Sequence, residues 1–297
     1  MFDSGNKPMD HVHSAYLDAL RTLNDSLPVD SLFRQAPDPL KLAQLKELTE
    51  FLPQKGSVLD VGSGQGLVPH ALHLLGYSVF SVDAPRLSGP GPLERLLHLG
   101  IPGAYGEVGV DQLPLDRESI DAVFAGDVIE HLPDSPRPFL EHLSEVLRPG
   151  GLIMLSTPNA TRLTVRTKVL LGFSNWPSIE DYFDEGVHGG HHKEYTANEI
   201  LLVLRRVGFV DIEVEYVENR IMTAPWTHIR DMKSQKRSGV DFQRPSGLKR
   251  VRMQVVRRGA MTVIKLVPSL ASVLIATGRK PKAGHVSEVA PFESGGN

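Results

Sequence analysis

Apolar residues recur at helical spacing twice near the start of the chain. Tyr16, Leu17, Leu20, Leu23 and Leu27 mark one face over Ser14 to Leu27, and Pro39 to Leu52 repeats that kind of pattern. Beyond residue 56 short apolar runs bounded by turn residues alternate with amphipathic stretches. Strands are predicted at Ser57 to Val61, Ser78 to Val82, Ile120 to Ala125, Gly151 to Ser156 and Ile212 to Val217. Helices are predicted at Gly66 to Leu75, Leu93 to Leu99, Pro136 to Leu147 and Ala197 to Val207, with Ala84 to Pro92 as a breaker-rich loop. Such alternation points to an α/β fold, a doubly wound and mostly parallel sheet covered by helices on both faces. Ser272 to Thr277 is expected to add an antiparallel closing strand. The chain then divides into an N-terminal helical extension (1–52), an α/β core (53–217), a basic helical segment with the closing strand (218–281) and a small, polar tail (282–297) expected to be disordered.

Composition narrows the picture. The chain has 297 residues, 41% hydrophobic and 23% charged, with a net charge of −3, as in an ordinary globular protein that is not a nucleic-acid binder as a whole. With no cysteine there are no disulfides, thiolate nucleophiles or Cys-ligated zinc. The N-terminus lacks the basic-then-apolar pattern of a signal peptide, and Val263 to Thr277, interrupted by Lys265 and Pro268, is too short to span a bilayer. The expectation is a cytoplasmic protein with at most peripheral membrane contact. Within Arg244 to Arg258 six Lys/Arg occur without an acid; this stretch suits a solvated face, a homodimer contact, or a contact with phosphate or an anionic surface.

Candidate chemistry sits at the ends of the predicted strands. The run VLDVGSGQG places Asp60 in a strand end and Gly62, Ser63, Gly64 and Gly66 in the turn to a helix, where bare backbone approaches a ligand. Asp83 ends the next strand, 17 residues after Gly66, where a carboxylate can take both hydroxyls of a ribose. Asp127, Glu130 and His131 form a D-x-x-E-H group past the third strand; on a helix they would share a face and suit magnesium or manganese. The bland alternative has Glu130 capping and His131 lining a pocket. His188, His191 and His192 crowd a glycine-rich loop beside the aromatic residues Trp176, Tyr182 and Phe183, and an imidazole there is a candidate general base. Thr196 to Glu199 reads as a capping box, so Glu199 is structural.

Four ordered motifs, VLDVGSGQG, SVDAP, DVIEHLPD and LRPGGLIMLSTPN, resemble those of class I S-adenosylmethionine-dependent methyltransferases from about Lys55 to Val217. The resemblance implies a Rossmann-like fold, with the glycines beneath the methionine moiety of S-adenosyl-L-methionine and Asp83 on its ribose. It aligns Gly109 or Val110, in GEVGVDQLP, with the slot where many relatives carry an adenine-contacting Asp, with Glu107 or Asp111 as substitutes. Asp127 is grouped with the cofactor contacts as well as with the metal candidates. The D-x-x-E-H stretch resembles the E-x-x-E-H segment of ubiquinone-biosynthesis O-methyltransferases, which implies a metal near the acceptor. The match of His192, Tyr195 and Thr196 to the H-x-x-[YF]-T spacing of such relatives implies His192 as the first choice of base, with His131 and Glu130 beside it. STPNATRLTVRTKVLLGFS with HHKEYT looks like methyltransferases of polysaccharide synthesis, so a hydroxyl of a sugar or oligosaccharide is the expected acceptor. A quinol or other small phenol is the alternative, and a non-catalytic binding protein of the same fold is a third reading.

Overall fold

The computed structural model describes residues 8–27, 35–52, 55–84, 91–174, 183, 191–218 and 259–282. His188, Trp176, Tyr182, the basic stretch 244–258 and the tail beyond 282 lie outside them.

In chain order the elements are α1 (Pro8–Asp25), α2 (Pro39–Phe51), β1 (Ser57–Val61), α3 (Leu67–Leu74), β2 (Ser78–Asp83), α4 (Pro92–His98), β3 (Gly103–Tyr105), β4 (Ile120–Gly126), α5 (Arg137–Val146), β5 (Leu147–Pro158), α6 (Leu163–Leu170), α7 (Ala197–Val207), β6 (Val210–Val217) and β7 (Val273–Arg279). The strands form one sheet in the order β3-β2-β1-β4-β5-β7-β6. β1 to β5 run parallel, and β7 enters antiparallel between β5 and β6. This is the expected doubly wound, mostly parallel sheet with an antiparallel strand.

Strand alternation sorts the core into two layers. Val58, Ala122, Phe124, Leu152 and Met154 face one side, against Leu67, Val68, Ala71 and Leu72 of α3 and Tyr16, Ala19 and Leu20 of α1. Leu59, Val61, Val123, Ile153 and Leu155 face the other, against Phe139, Leu140 and Leu143 of α5 and Ile200 and Leu204 of α7. Burial on both faces explains why β1 and β4 are mainly apolar rather than strictly alternating, with Asp60 and Asp121 as the charged interruptions. α1 and α2 therefore belong to the same core as the sheet. Tyr16 and Asp38 join them: the Asp38 amide donates to the Tyr16 hydroxyl at 2.6 Å, and the Asp38 carboxylate caps α2 through the Leu40 amide at 2.9 Å.

Sheet order reverses direction between β1 and β4. A crevice forms at the carboxyl ends of the strands at such a switch point, and ligands of open α/β sheets bind there. The turn after β1, Asp83 of β2, the turn after β4 and the end of β5 all converge on it.

Candidate active site

The turn after β1 carries the first half of the site. Gly62, Gly64 and Gly66 all have positive φ, at +75, +52 and +79°. A Cβ on Gly62 would strike Val128 Cγ2, and one on Gly66 would come within 2.9 Å of Leu96 Cδ2. At Gly64 a Cβ would meet nothing within 4 Å, so the turn is open on that side. The Gly64 amide donates to Asp83 Oδ2 at 2.8 Å. Gly62 donates to the Val82 carbonyl at 2.8 Å, and Arg95 of α4 braces the loop through the Gln65 carbonyl at 2.9 Å.

Asp60 beneath this turn is 1% exposed. Its Oδ2 has no hydrogen-bond partner. Burial pushes the Asp60 carboxyl up to about 7, and the charge of Asp83 adds to the rise. Lys41 of α2 is near enough to pull it the other way, a cation at the crevice that sequence reading did not single out. An orphaned buried carboxylate oxygen, an open glycine cradle and a carboxylate aimed by a backbone amide suit a ligand that brings its own donors and a diol.

Gly109 and Val110 sit differently from each other. A Cβ on Gly109 would lie 2.6 Å from the Phe139 amide nitrogen, and the Gly109 amide donates to His142 Nδ1 at 3.2 Å, so glycine is required there by packing on α5. Val110 is 78% exposed.

The second half follows β4. Residues Ile129–His131 form one 3-10 turn rather than the helix face expected for D-x-x-E-H. Asp127 precedes it in a left-handed conformation, φ +59°, and accepts from Ser156 Oγ at 3.3 Å. Glu130 is fully buried; Oε2 accepts from Thr157 Oγ1 at 3.0 Å and Oε1 has no partner. Burial, with the charge of Asp127 next, raises the Glu130 carboxyl to about 7.

The expected metal set of Asp127, Glu130 and His131 is corrected here. Among the described residues the group whose ligand atoms all lie within 4.8 Å of one another is Glu130, His131 and His191. Asp127 is outside it because the tight 3-10 turn carries Glu130 and His131 inward while the left-handed residue before it turns to Ser156. His191, rather than His192, brings its ring to Glu130 and His131. The amides of His192 and Lys193 bond the Glu130 carbonyl, His192 at 2.7 Å, and this pinning sets the His191 ring edge-on to His131 at 4.9 Å between centroids. His191 Nδ1 is 3.0 Å from Glu194 Oε1, and Arg162 grips Glu194 with both guanidinium nitrogens. The Glu194 contact raises the His191 pKa. Burial would raise Glu194, but hydrogen bonds from His191 and Arg162 hold it at about 2. Thr157, Ser156, Arg162 and Glu194 carried no assigned role in the sequence, since nothing in their spacing marks the pairing.

The capping box reads as expected: Thr196 Oγ1 accepts from the Glu199 amide at 3.2 Å and Glu199 Oε2 from the Thr196 amide at 2.8 Å. Phe183 is 86% exposed.

The sequence profile of the family described as "Methyltransferase domain" matches residues 32–214, well over half of the chain. The chain belongs to that family. It is a class I S-adenosylmethionine-dependent methyltransferase. A ubiquinone biosynthesis O-methyltransferase of Xanthomonas axonopodis pv. citri is 30% identical over 194 residues, 64% of this chain and 75% of that protein. One of the same name from Paramagnetospirillum magneticum is 35% identical over 105 residues, 35% of this chain and 41% of that protein. Among solved structures, a phosphoethanolamine N-methyltransferase 2 of Haemonchus contortus with S-adenosyl-L-methionine superposes with a TM-score of 0.51 at 20% identity, over 81% of this chain and 52% of that one. A SAM-dependent methyltransferase of Archaeoglobus fulgidus gives 0.50 at 17%, over 81% and 93%. These two likenesses speak for the fold. In this methyltransferase the cofactor implied by the family, S-adenosylmethionine, fits the open turn at Gly64 and the carboxylate of Asp83.

Proposed function

We propose that this methyltransferase moves the methyl group of S-adenosylmethionine to a phenolic hydroxyl of a quinol-type acceptor. The observation that carries the reading is the cluster of Glu130, His131 and His191 at the end of β4, beside the glycine turn. Methyl transfer is an in-line displacement in which the acceptor oxygen bonds the methyl carbon and the sulfonium C–S bond breaks. The hydroxyl proton must leave, so the reaction needs a group that takes it. His191 is the favoured acceptor of that proton, with Glu194 orienting its ring and Arg162 holding Glu194. Asp83 holds the ribose, and the turn Gly62 to Gly66 passes beneath the methionine end. The names of the ubiquinone-biosynthesis relatives favour a quinol over the sugar hydroxyl expected from the sequence.

A magnesium or manganese ion is a second role for the same cluster, because Glu130 Oε1 is a buried carboxylate oxygen without a partner. Glu130, His131 and His191 would hold the ion, which would supply Lewis-acid lowering of the hydroxyl pKa. The test is transfer of labelled methyl to catechol-type phenols and to mono- and oligosaccharides, with and without EDTA. Label on phenols is expected, and label only on sugars would overturn the acceptor assignment. His191→Ala should lower turnover by roughly 10²- to 10⁴-fold with S-adenosylhomocysteine affinity little changed; His192→Ala should do much less. Turnover lost with EDTA and regained with magnesium would make the cluster a metal site.

A further inference from the structure

Gln44 lies on α2, far from every motif, and is completely buried. Its Nε2 donates to Ser156 Oγ at 2.6 Å, a contact 112 residues apart in sequence that ties α2 to the end of β5. Ser156 Oγ in turn donates to Asp127 Oδ1 at 3.3 Å. The direction of this chain fixes the amide: the nitrogen must face Ser156, because the serine proton is already spent on Asp127. The carbonyl oxygen Oε1 is left buried with no partner. An acceptor shut away from bulk water in this state is destabilising, and a ligand that brings a donor would satisfy it.

The surroundings say which kind of donor. Asp127 is a second acceptor a hydrogen bond or two away, and its neighbour Val128 is the residue that a Cβ on Gly62 would strike. Gln44, Asp127 and the glycine turn therefore border one end of the crevice, with two acceptors there while the Gln44 amide nitrogen donates to Ser156. A small cation bearing several N–H groups matches such a place; a carboxylate or a hydroxyl-free apolar group does not. We propose that Gln44 is a cofactor-binding residue whose side-chain carbonyl accepts a hydrogen bond from the α-ammonium group of S-adenosylmethionine, with Ser156 holding its amide and Asp127 flanking the same group. The assignment rests on the family's cofactor and not on the acceptor, so it stands or falls separately from the quinol reading.

Calorimetry on the full chain with two ligands tests it: S-adenosylhomocysteine, and the analogue in which hydrogen replaces the α-amino group. The wild type should bind S-adenosylhomocysteine at least about tenfold more tightly than the analogue. In Gln44→Met, close to glutamine in shape, S-adenosylhomocysteine should weaken about tenfold, ~1.4 kcal/mol, while the analogue binds as before, so the preference shrinks by that factor. If Gln44→Met does not fold, Gln44→Asn, which withdraws the amide by one methylene, is read in the same way. A wild type without preference overturns the proposal. So does a variant that weakens both ligands alike, since that is what a purely structural glutamine would do.

Discussion

Gly62 shows how one position serves backbone and packing together. Its φ of +75° is costly for any residue with a Cβ, and that Cβ would enter Val128, next to the strained Asp127. Asp83 is tied to the same turn, because the Gly64 amide donates to its carboxylate oxygen Oδ2 at 2.8 Å; in the proposed function its other oxygen is the one offered to the ribose. Asp83→Ala should weaken S-adenosylhomocysteine binding by ~1.5–3 kcal/mol, the range for hydrogen bonds to a charged group; calorimetry with unchanged affinity would take Asp83 off the ribose. Glycine turn and carboxylate were both legible as residues in a pattern. Their mutual hydrogen bond was not.

Short segments rather than whole helices assemble the cluster of Glu130, His131 and His191. The stretch 191–196 is stitched in at several points. The His192 and Lys193 amides bond the Glu130 carbonyl, the Ala160 amide bonds the Tyr195 carbonyl, and Arg162 at the start of α6 grips Glu194. With side chains 19% and 11% exposed, the Arg162–Glu194 pair is largely out of water. Removing one partner leaves a charge with little solvent to receive it. Arg162→Met should cost ~3 kcal/mol in urea unfolding at pH 7, the low end for a broken buried pair. Glu194 lies at about 2 in the folded state, below its ordinary 4.5, so its stabilisation is full above about pH 4.5 and is lost as pH falls towards 2. In Arg162→Met that acid limb should shrink; an unchanged limb would mean that His191 alone holds Glu194 down.

Across the whole molecule, α2 meets acids from a distant strand. Glu47 is raised to about 7, first by burial and then by Glu215, Glu50 and Glu213, so α2 confronts two carboxylates of β6. A raised carboxyl is more stable folded while it keeps its proton. Its contribution is full below about pH 4.5 and is lost as pH rises through 7. Glu47→Gln should leave the melting temperature near pH 5 little changed and raise it at pH 8, so that the fall between them shrinks. Equal melting curves at both pH values for the two proteins would remove Glu47 from the balance. Among the described residues no helix is long and apolar enough to cross a membrane.

Fold class, the glycine turn, Asp83 and the Thr196–Glu199 cap were determined by sequence alone, because each depends on period-2 or helical spacing and on backbone conformations set within a few residues. Only the tertiary structure decided that His191 rather than His192 meets Glu130 and His131, and that Asp127 turns away from them. It alone brought Gln44 to Ser156 and Arg162 to Glu194, contacts 112 and 32 residues apart. Such contacts follow from strand register and from how α2 and the 191–196 segment pack over the sheet's carboxyl edge, and no local pattern encodes either.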